Sequence, residues 1–361
     1  MQLFHAFGRI ACALVCALLL TAPAMAADYK QEYKLSVVPG PTSGWALTAM
    51  YFADQVRERT GGRVNIKVYP AGQLFAGKQT NEFPLLRQGA IDFALGSTIN
   101  WSPQVKELNL PCMPFFIGAQ PHPYKAMDAM LAGKSGQMMR EAIEKKGVHV
   151  IGWAENGFRE LTTGKGPVTK PEDLKGMKIR VVGSPIFIET FRALGANPVN
   201  MNWSEAVTGF QQGIVDGQEN PTNGINLSVK IWLYHKYHCD WHYVIDPLIT
   251  SVNPKVWASF TPEDQKIIEE CAALTEKYGK ALSRVGLDGG ESLAYLQSLG
   301  KVPAVTDPYA FMAQNGMTVT RLTPEQIQVF ADATKGVREE WTKKIGPELV
   351  KAAEADMASV K

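Results

Sequence analysis

The chain has 361 residues, 37 of them basic and 35 acidic, for a formal net charge of +2. That length exceeds what one hydrophobic core usually serves, so two domains are expected. The balanced charge excludes recognition of nucleic acid or of an anionic membrane by bulk electrostatics, and any bound anion must be met by locally placed groups.

The first segment reads as an address. Arg9 precedes an apolar run, Ile10 to Leu20, and Ala24-Met25-Ala26 has the A-x-A form of a cleavage site. These features predict a signal peptide over residues 1–26, cleaved near Ala26/Ala27, and export to the periplasm. The run is shorter than the ~20 residues of a membrane-spanning helix. Cys16 lacks the small preceding residue of a lipoprotein signal. With Cys12 and Cys16 removed, Cys112, Cys239 and Cys271 remain and read as small buried apolar residues. An oxidising compartment allows one disulfide among them, but spacing selects no pair.

Tyr33 to Val38 predicts a strand, ended by Pro39-Gly40-Pro41. Trp45 to Arg59 predicts a helix from an imperfect helical spacing at Leu47, Met50, Tyr51, Ala53, Asp54 and Val56. Arg63 to Tyr69 alternates as a half-buried strand. A helix near Glu82 to Arg87 and a strand from Ile91 to Leu95 follow. The rhythm restarts with strands at Val148–Trp153 and Lys178–Val182, helices at Ile186–Leu194 and Ala206–Gln212, and a short strand at Ile214–Asp216. Strand and helix in alternation predict an α/β fold with mainly parallel pairing, in two units with a cleft between them. Thr261-Pro262-Glu263-Asp264 starts a helix with a Thr cap, an early Pro and acids facing the dipole. Continued to about Leu299 it would be about 55 Å long and could brace both units. Thr323-Pro324-Glu325-Gln326 starts another.

Catalytic signatures are missing: no H-E-x-x-H, G-x-S-x-G, P-loop or G-x-G-x-x-G occurs. Ser298-Leu299-Gly300-Lys301 matches S-x-x-K alone, without the motifs that give it meaning. His235, His238, Cys239 and His242 form the one cluster of metal-binding residue types, with His238 and His242 at i, i+4. The surrounding aromatic and β-branched residues predict a helix end passing into a strand, which separates the ligands. No metal and no cofactor are expected.

The stretch Gly157 to Pro221 carries G-x-R (Gly157–Arg159), P-E-D-L-K-G-x-K-I-R (Pro171–Arg180), L-G-A-x-P (Leu194–Pro198) and D-G-Q-E-N-P (Asp216–Pro221). Upstream are R-T-G-G-R-V before Lys67-Val68-Tyr69-Pro70, then Gly72-Gln73-Leu74 and Gly89-x-Ile91-Asp92. In this order, over nearly the whole mature chain, the motifs resemble the DctP-type receptors of tripartite ATP-independent periplasmic (TRAP) transporters. The resemblance implies a two-lobed periplasmic binding protein that takes up a small organic acid and hands it to a small and a large membrane permease subunit. Lobe I would comprise residues 27–154, with about 245–283 returning to it. Lobe II would comprise 155–244, with about 284–361 returning. A monomer without enzymatic activity is implied.

In the family the arginine of K-I-R, here Arg180, forms the salt bridge to the ligand carboxylate. Arg at a strand end can grip a carboxylate through two parallel hydrogen bonds, which Lys cannot do. The resemblance gives Arg159 a second contact to the same group and Asn220 an amide to the ligand. Trp203 stands where many relatives place a phenylalanine against the ligand, and core filler is an equal reading of it. Ser97, Asn100 and Trp101 follow a lobe I strand and are expected at the cleft. His242 matches a family histidine near the hinge. Relatives that bind sialic acid carry a glutamate at the position of Ser97, which argues against sialate here. A sulfonate would satisfy the same arginines. A receptor feeding a sensor kinase, or a periplasmic enzyme acting on an organic acid, are the rival readings.

Overall fold

In the computed structural model, which describes residues 29–360, nine strands form one mixed sheet. They are β1 (Tyr33–Ser36), β2 (Ile66–Tyr69), β3 (Phe93–Ser97), β4 (His149–Thr163), β5 (Lys178–Val181), β6 (Asn197–Asn200), β7 (Gly217–Pro221), β8 (Tyr237–Val252) and β9 (Thr318–Arg321). Their order is β2-β1-β3-β8-β4-β7-β5-β6, with β9 beside β8. The expected signal segment lies outside the described residues.

The expectation of mainly parallel pairing holds at the two flanks. There β1 pairs parallel with β2 and β3, and β5 pairs parallel with β6 and β7. The centre is antiparallel, because β4 and β8 run against each other and each meets one flank. At 15 and 16 residues these two strands are about 50 Å long. Each therefore serves both lobes, and the cleft lies where the flanks meet across them.

Several sequence expectations shift for identifiable reasons. The helix Gly44–Arg59 starts at Ser43, whose side chain accepts from the Ala46 N–H. Its buried face is Trp45, Ala49, Phe52 and Val56, while Leu47 is exposed; the large aromatic residues, not Leu47, set the rotation. The strand placed at Ile214–Asp216 begins instead at Gly217. The helix from Pro262 stops at Arg284. Gly286 adopts φ +76° against the Thr306 carbonyl, where a Cβ would lie 2.4 Å from that oxygen. The chain turns there, and Glu291–Ser298 is a separate helix. The helix Pro262–Arg284 is thus about 35 Å long and lies on β4 and the helix Gly44–Arg59.

Most buried apolar residues form one core, and a smaller one gathers Ala206, Phe210, Val215, Ile231, Met312 and Met317. The tail divides between them. Pro308–Gln314 joins the smaller core, whereas Pro347–Ala358 packs on the helices Pro123–Ala132 and Lys134–Lys145 of the first lobe. Residues 284–361 therefore do not return to the second lobe as a block. Cys112, Cys239 and Cys271 are free thiols, each buried.

Candidate ligand-binding cleft

The polar residues of the site come from adjacent strands. Arg180 on β5 pairs with Gln218 on β7, and on the other side of β7 Asn220 and Pro221 pair with Glu160 and Arg159 of β4. All five residues of β7 are buried although most are polar, so their hydrogen bonds must be met internally. The Asn220 amide N–H donates to the Gln218 side chain, and the Asn220 carbonyl accepts from Asn226 Nδ2 at 2.9 Å. On β4 the register with β8 breaks between Glu155 and Gly157, so Asn156 is an extra, bulged residue. Gly157 has φ +112°, a conformation that glycine tolerates and side chains resist. This accounts for the glycine of G-x-R: it lets the bulge turn Asn156 toward the cleft and keeps Arg159 in register behind it.

Six of the eight expected site residues line a single small cavity: Arg180, Arg159, Asn220, Trp203, Asn100 and Ser97. Two do not. Trp101 is fully buried; its Nε1 donates to Glu82 at 3.0 Å and its ring fills the space over Gly96, where a Cβ would come within 2.1 Å. It is core. Ser97 caps a one-turn helix, Thr98–Trp101, which directs Asn100 to the cleft and Trp101 away from it.

His242 lines a different surface depression, with Gly118, Asp240, Arg321 and Pro324. It sits at φ +54° where β8 bulges opposite Glu160, and its N–H and that of Trp241 donate to the Glu160 carboxylate at 3.1 and 2.8 Å. Burial works against its charge, but Glu160 and Asp240 outweigh it and raise the imidazole to about 9. Among the described residues, Glu160, Asp240 and His242 are the trio whose atoms converge within 4.8 Å. The His242 cation and Arg321, 3.3 Å from Asp240, already compensate the two acids. The histidine–cysteine cluster does not assemble: His235 Nδ1 meets the Thr162 hydroxyl and His238 Nε2 that of Thr222. Burial lowers both rings to about 4.

The two cleft arginines differ. Arg159 gives Nε and Nη2 to the Glu219 carboxylate, and Nη1 lies 3.7 Å from Asp246. Burial opposes its charge, yet Glu219 and then Asp246 hold it above its ordinary value. Arg180 is only 1% exposed. Its Nε and Nη2 both donate to one carbonyl, that of Met201, at 3.1 and 2.9 Å. Among the described residues no carboxylate is within ion-pair distance of it. Burial pulls its guanidinium down to about 10, against the more distant pull of Glu219. The Trp203 ring lies 5.5 Å from the guanidinium carbon, close enough for a cation–π contact.

The lobes also touch directly. Gln79 Nε2 donates to Asn100 at 2.7 Å while its Oε1 accepts from the Trp203 N–H at 2.8 Å, and the Ser102 and Ser184 hydroxyls meet at 2.9 Å. Gln79, Asn156 and Asp246 line the cavity and were missed from sequence. Only the β8–β4 pairing brings Asp246 opposite Gly157.

A family model described as bacterial extracellular solute-binding protein, family 7 (DctP), matches residues 35–285. The chain is 30% identical over 311 residues to the 2,3-diketo-L-gulonate-binding periplasmic protein YiaO of Escherichia coli K12, covering 86% of this chain and 92% of that protein. A TRAP periplasmic solute binding protein from Ralstonia eutropha H16, solved with bound (S)-2-acetolactate, is 46% identical with a TM-score of 0.83. That match spans 92% of this chain and 100% of the other. One from Sulfurospirillum deleyianum, with bound succinate, is 26% identical with a TM-score of 0.75, over 90% and 98%.

Proposed function

Because this chain belongs to family 7 of the bacterial extracellular solute-binding proteins and is a TRAP solute receptor for a carboxylate, we propose that Arg180 is the group that grips the ligand. The observation that carries this is a buried arginine with no carboxylate of its own. Arg cannot shed its proton, so a buried guanidinium requires a paired anion. A ligand carboxylate is that anion. Arg159, already held by Glu219, is a positioned second donor, and Asn220, Asn100 and Ser97 take the remaining polar atoms. Trp203 and Trp45 add aromatic surface to the cavity lining.

The lobes close when the ligand is gripped, with Gln79 and the Ser102–Ser184 pair as latches made by the protein itself. The lobe I residues are 27–154 and 245–283, and lobe II centres on 155–244. The closed form docks on the small and large permease subunits. The signal segment directs the chain to the periplasm. It binds and releases without turnover. The relative with bound (S)-2-acetolactate supports a short oxygenated acid as the ligand.

A thermal-shift screen of short organic acids against their neutral amides, with sulfonates alongside, tests this. A ligand at 100 times its Kd stabilises the folded state by about 2.7 kcal/mol. Carboxylates should raise the melting temperature and their amides should not. Stabilisation by amides as strong as by acids would remove the reading.

A further inference from the structure

Two carboxylates accompany the arginines of the cleft, and they are held differently. Glu219 accepts from Nε and Nη2 of Arg159 and from the Tyr243 hydroxyl at 3.2 Å. Its charge is matched in contact. Asp246 is 1% exposed and lines the cavity. Its hydrogen-bond partners are neutral: Ser97 Oγ donates to Oδ1 at 2.6 Å and Asn156 Nδ2 to Oδ2 at 2.9 Å. Arg159 is the cation opposite it, but Nη1 stands 3.7 Å off while Nε and Nη2 are engaged by Glu219. Both neutral partners also suit a protonated carboxyl, because a hydroxyl can accept as well as donate and a side-chain amide carries an acceptor beside its donor.

Charge decides what happens when an acid enters. Among the described residues lining the cavity the charged ones are Arg159, Arg180 and Asp246, and Glu219 is paired to Arg159. Two cations and two anions balance before any ligand arrives. A carboxylate bound to Arg180 leaves one negative charge in excess. Water screens that excess in an open cleft, whereas in a closed one the same charges interact through a medium of much lower dielectric. A proton taken from solvent by one carboxylate removes it, and Asp246 is the one with no cation in contact. Besides Arg159 and Glu219, the buried Cys112 thiol is close enough to feel its charge, and Arg180 shares the cavity. Burial already raises the Asp246 carboxyl above its ordinary value; Arg159, Asn156 and Ser97 pull it back, and Glu219 adds to the rise. A further anion in the cavity acts in the same direction as Glu219.

We infer that the receptor takes up its organic acid together with one proton, and that Asp246 is the residue that holds it. The acid stays ionised on Arg180, and solvent supplies the proton. The inference rests on the carboxylate reading above and adds a second, smaller ligand to the same site. Calorimetric titration of the full mature chain tests it, with the carboxylic acid that raises the melting temperature most in the screen. Titrations in buffers of different ionisation enthalpy, in steps from about pH 5 to about pH 7.5, count the protons bound with the acid. The count should reach at least about 0.4 per bound acid within that window. Affinity should fall as pH rises, by at least about threefold across it, because the complex keeps the proton to higher pH than the free receptor. Asp246→Asn has no charge to neutralise, so it should take up fewer than about 0.1 proton and bind more tightly than wild type at the upper end. Uptake below about 0.1 proton at every pH, or uptake that persists in Asp246→Asn, overturns the inference and leaves the carboxylate reading standing. Absence of binding by every acid removes both. Should Asp246→Asn not fold, the carboxyl carbon signal of Asp246 in carbon-13-labelled wild type decides. Saturation with the acid at the pH of greatest uptake should move it toward the protonated position, and an unmoved signal overturns the inference.

Discussion

Two buried arginines answer the same physical problem in opposite ways. Arg284 ends the helix Pro262–Arg284, and its Nε reaches Glu155 of β4 at 3.0 Å while Nη1 and Nη2 each meet Asp128 at 2.8 Å. Helix, sheet and the helix Pro123–Ala132 are joined through one guanidinium with both carboxylates in place. Arg180, more deeply buried, has one carbonyl. A buried charge left incompletely paired by its own protein marks a place where something else completes it. Glu82 gives a third answer. It is fully buried with Ser36 and Trp101 as partners and no cation among the described residues, and burial raises its carboxyl to about 8. A carboxyl can keep its proton; an arginine cannot lose one.

The comparison breaks most visibly at Arg284. Arg284→Ala strands Glu155 in the interior, and removal of one partner of a buried pair costs about 3–5 kcal/mol. Urea denaturation should show that loss, with ligand affinity of the folded fraction within about threefold of wild type. A stability unchanged within 1 kcal/mol would show that full pairing does not mark a structural arginine.

Arg159 stands between the two cases, since it is paired with Glu219 and also faces the cavity. Arg159→Met should lower both properties, with about 3 kcal/mol of stability lost and affinity reduced about tenfold. Loss of affinity alone would place Arg159 with Arg180.

Glu82 sharpens the comparison through pH. Its folded carboxyl, at about 8, lies above the ordinary value of 4.5. Between those values the folded state holds a proton that the unfolded state has released. The stability this proton supports is complete below about pH 4.5 and is lost as pH rises toward 8, with a slope of at most about 1.4 kcal/mol per pH unit. Glu82→Gln, neutral and of the same shape, should flatten that slope and raise the melting temperature at pH 8 relative to wild type. A profile parallel to wild type would show that Glu82 does not titrate there.

The smallest effect belongs to Trp203→Phe. A phenyl ring keeps the wall and weakens the contact to Arg180, so titration should show less than 1 kcal/mol, under about fivefold in affinity.

The legibility of these features from sequence follows their range. The helix starts at Ser43, Thr261 and Thr323 were readable because each cap acts within three residues. Hydrophobic periodicity failed at β7, whose Gln218, Glu219 and Asn220 are buried by a hydrogen-bond network that spacing cannot reveal. It also stopped β4 at Trp153, ten residues short of Thr163, because the bulge at Asn156 and a further register shift between Arg159 and Leu161 interrupt the alternation. Motifs singled out Arg180, Arg159 and Asn220, and the sheet brings the three to one cavity. Trp101 read as a cleft residue because one helical turn separates facing the cleft from facing the core. Asp246 and Gln79 needed pairings 90 and more residues distant, from Asn156 and Trp203.

Arg180 itself is the most direct test. The strongest short acid from the screen is titrated calorimetrically into wild type, Arg180→Lys and Arg180→Ala, with the melting temperature of each recorded without ligand. Affinity for Arg180→Ala should fall by 2–5 kcal/mol, roughly 30- to several-thousand-fold, and Arg180→Lys should remain clearly impaired because its ammonium has no planar fork. Melting without ligand should change little, since the side chain holds the Met201 carbonyl and the Trp203 ring but no ion-pair partner among the described residues. Binding by Arg180→Ala within about threefold of wild type, under 1 kcal/mol, would contradict the account.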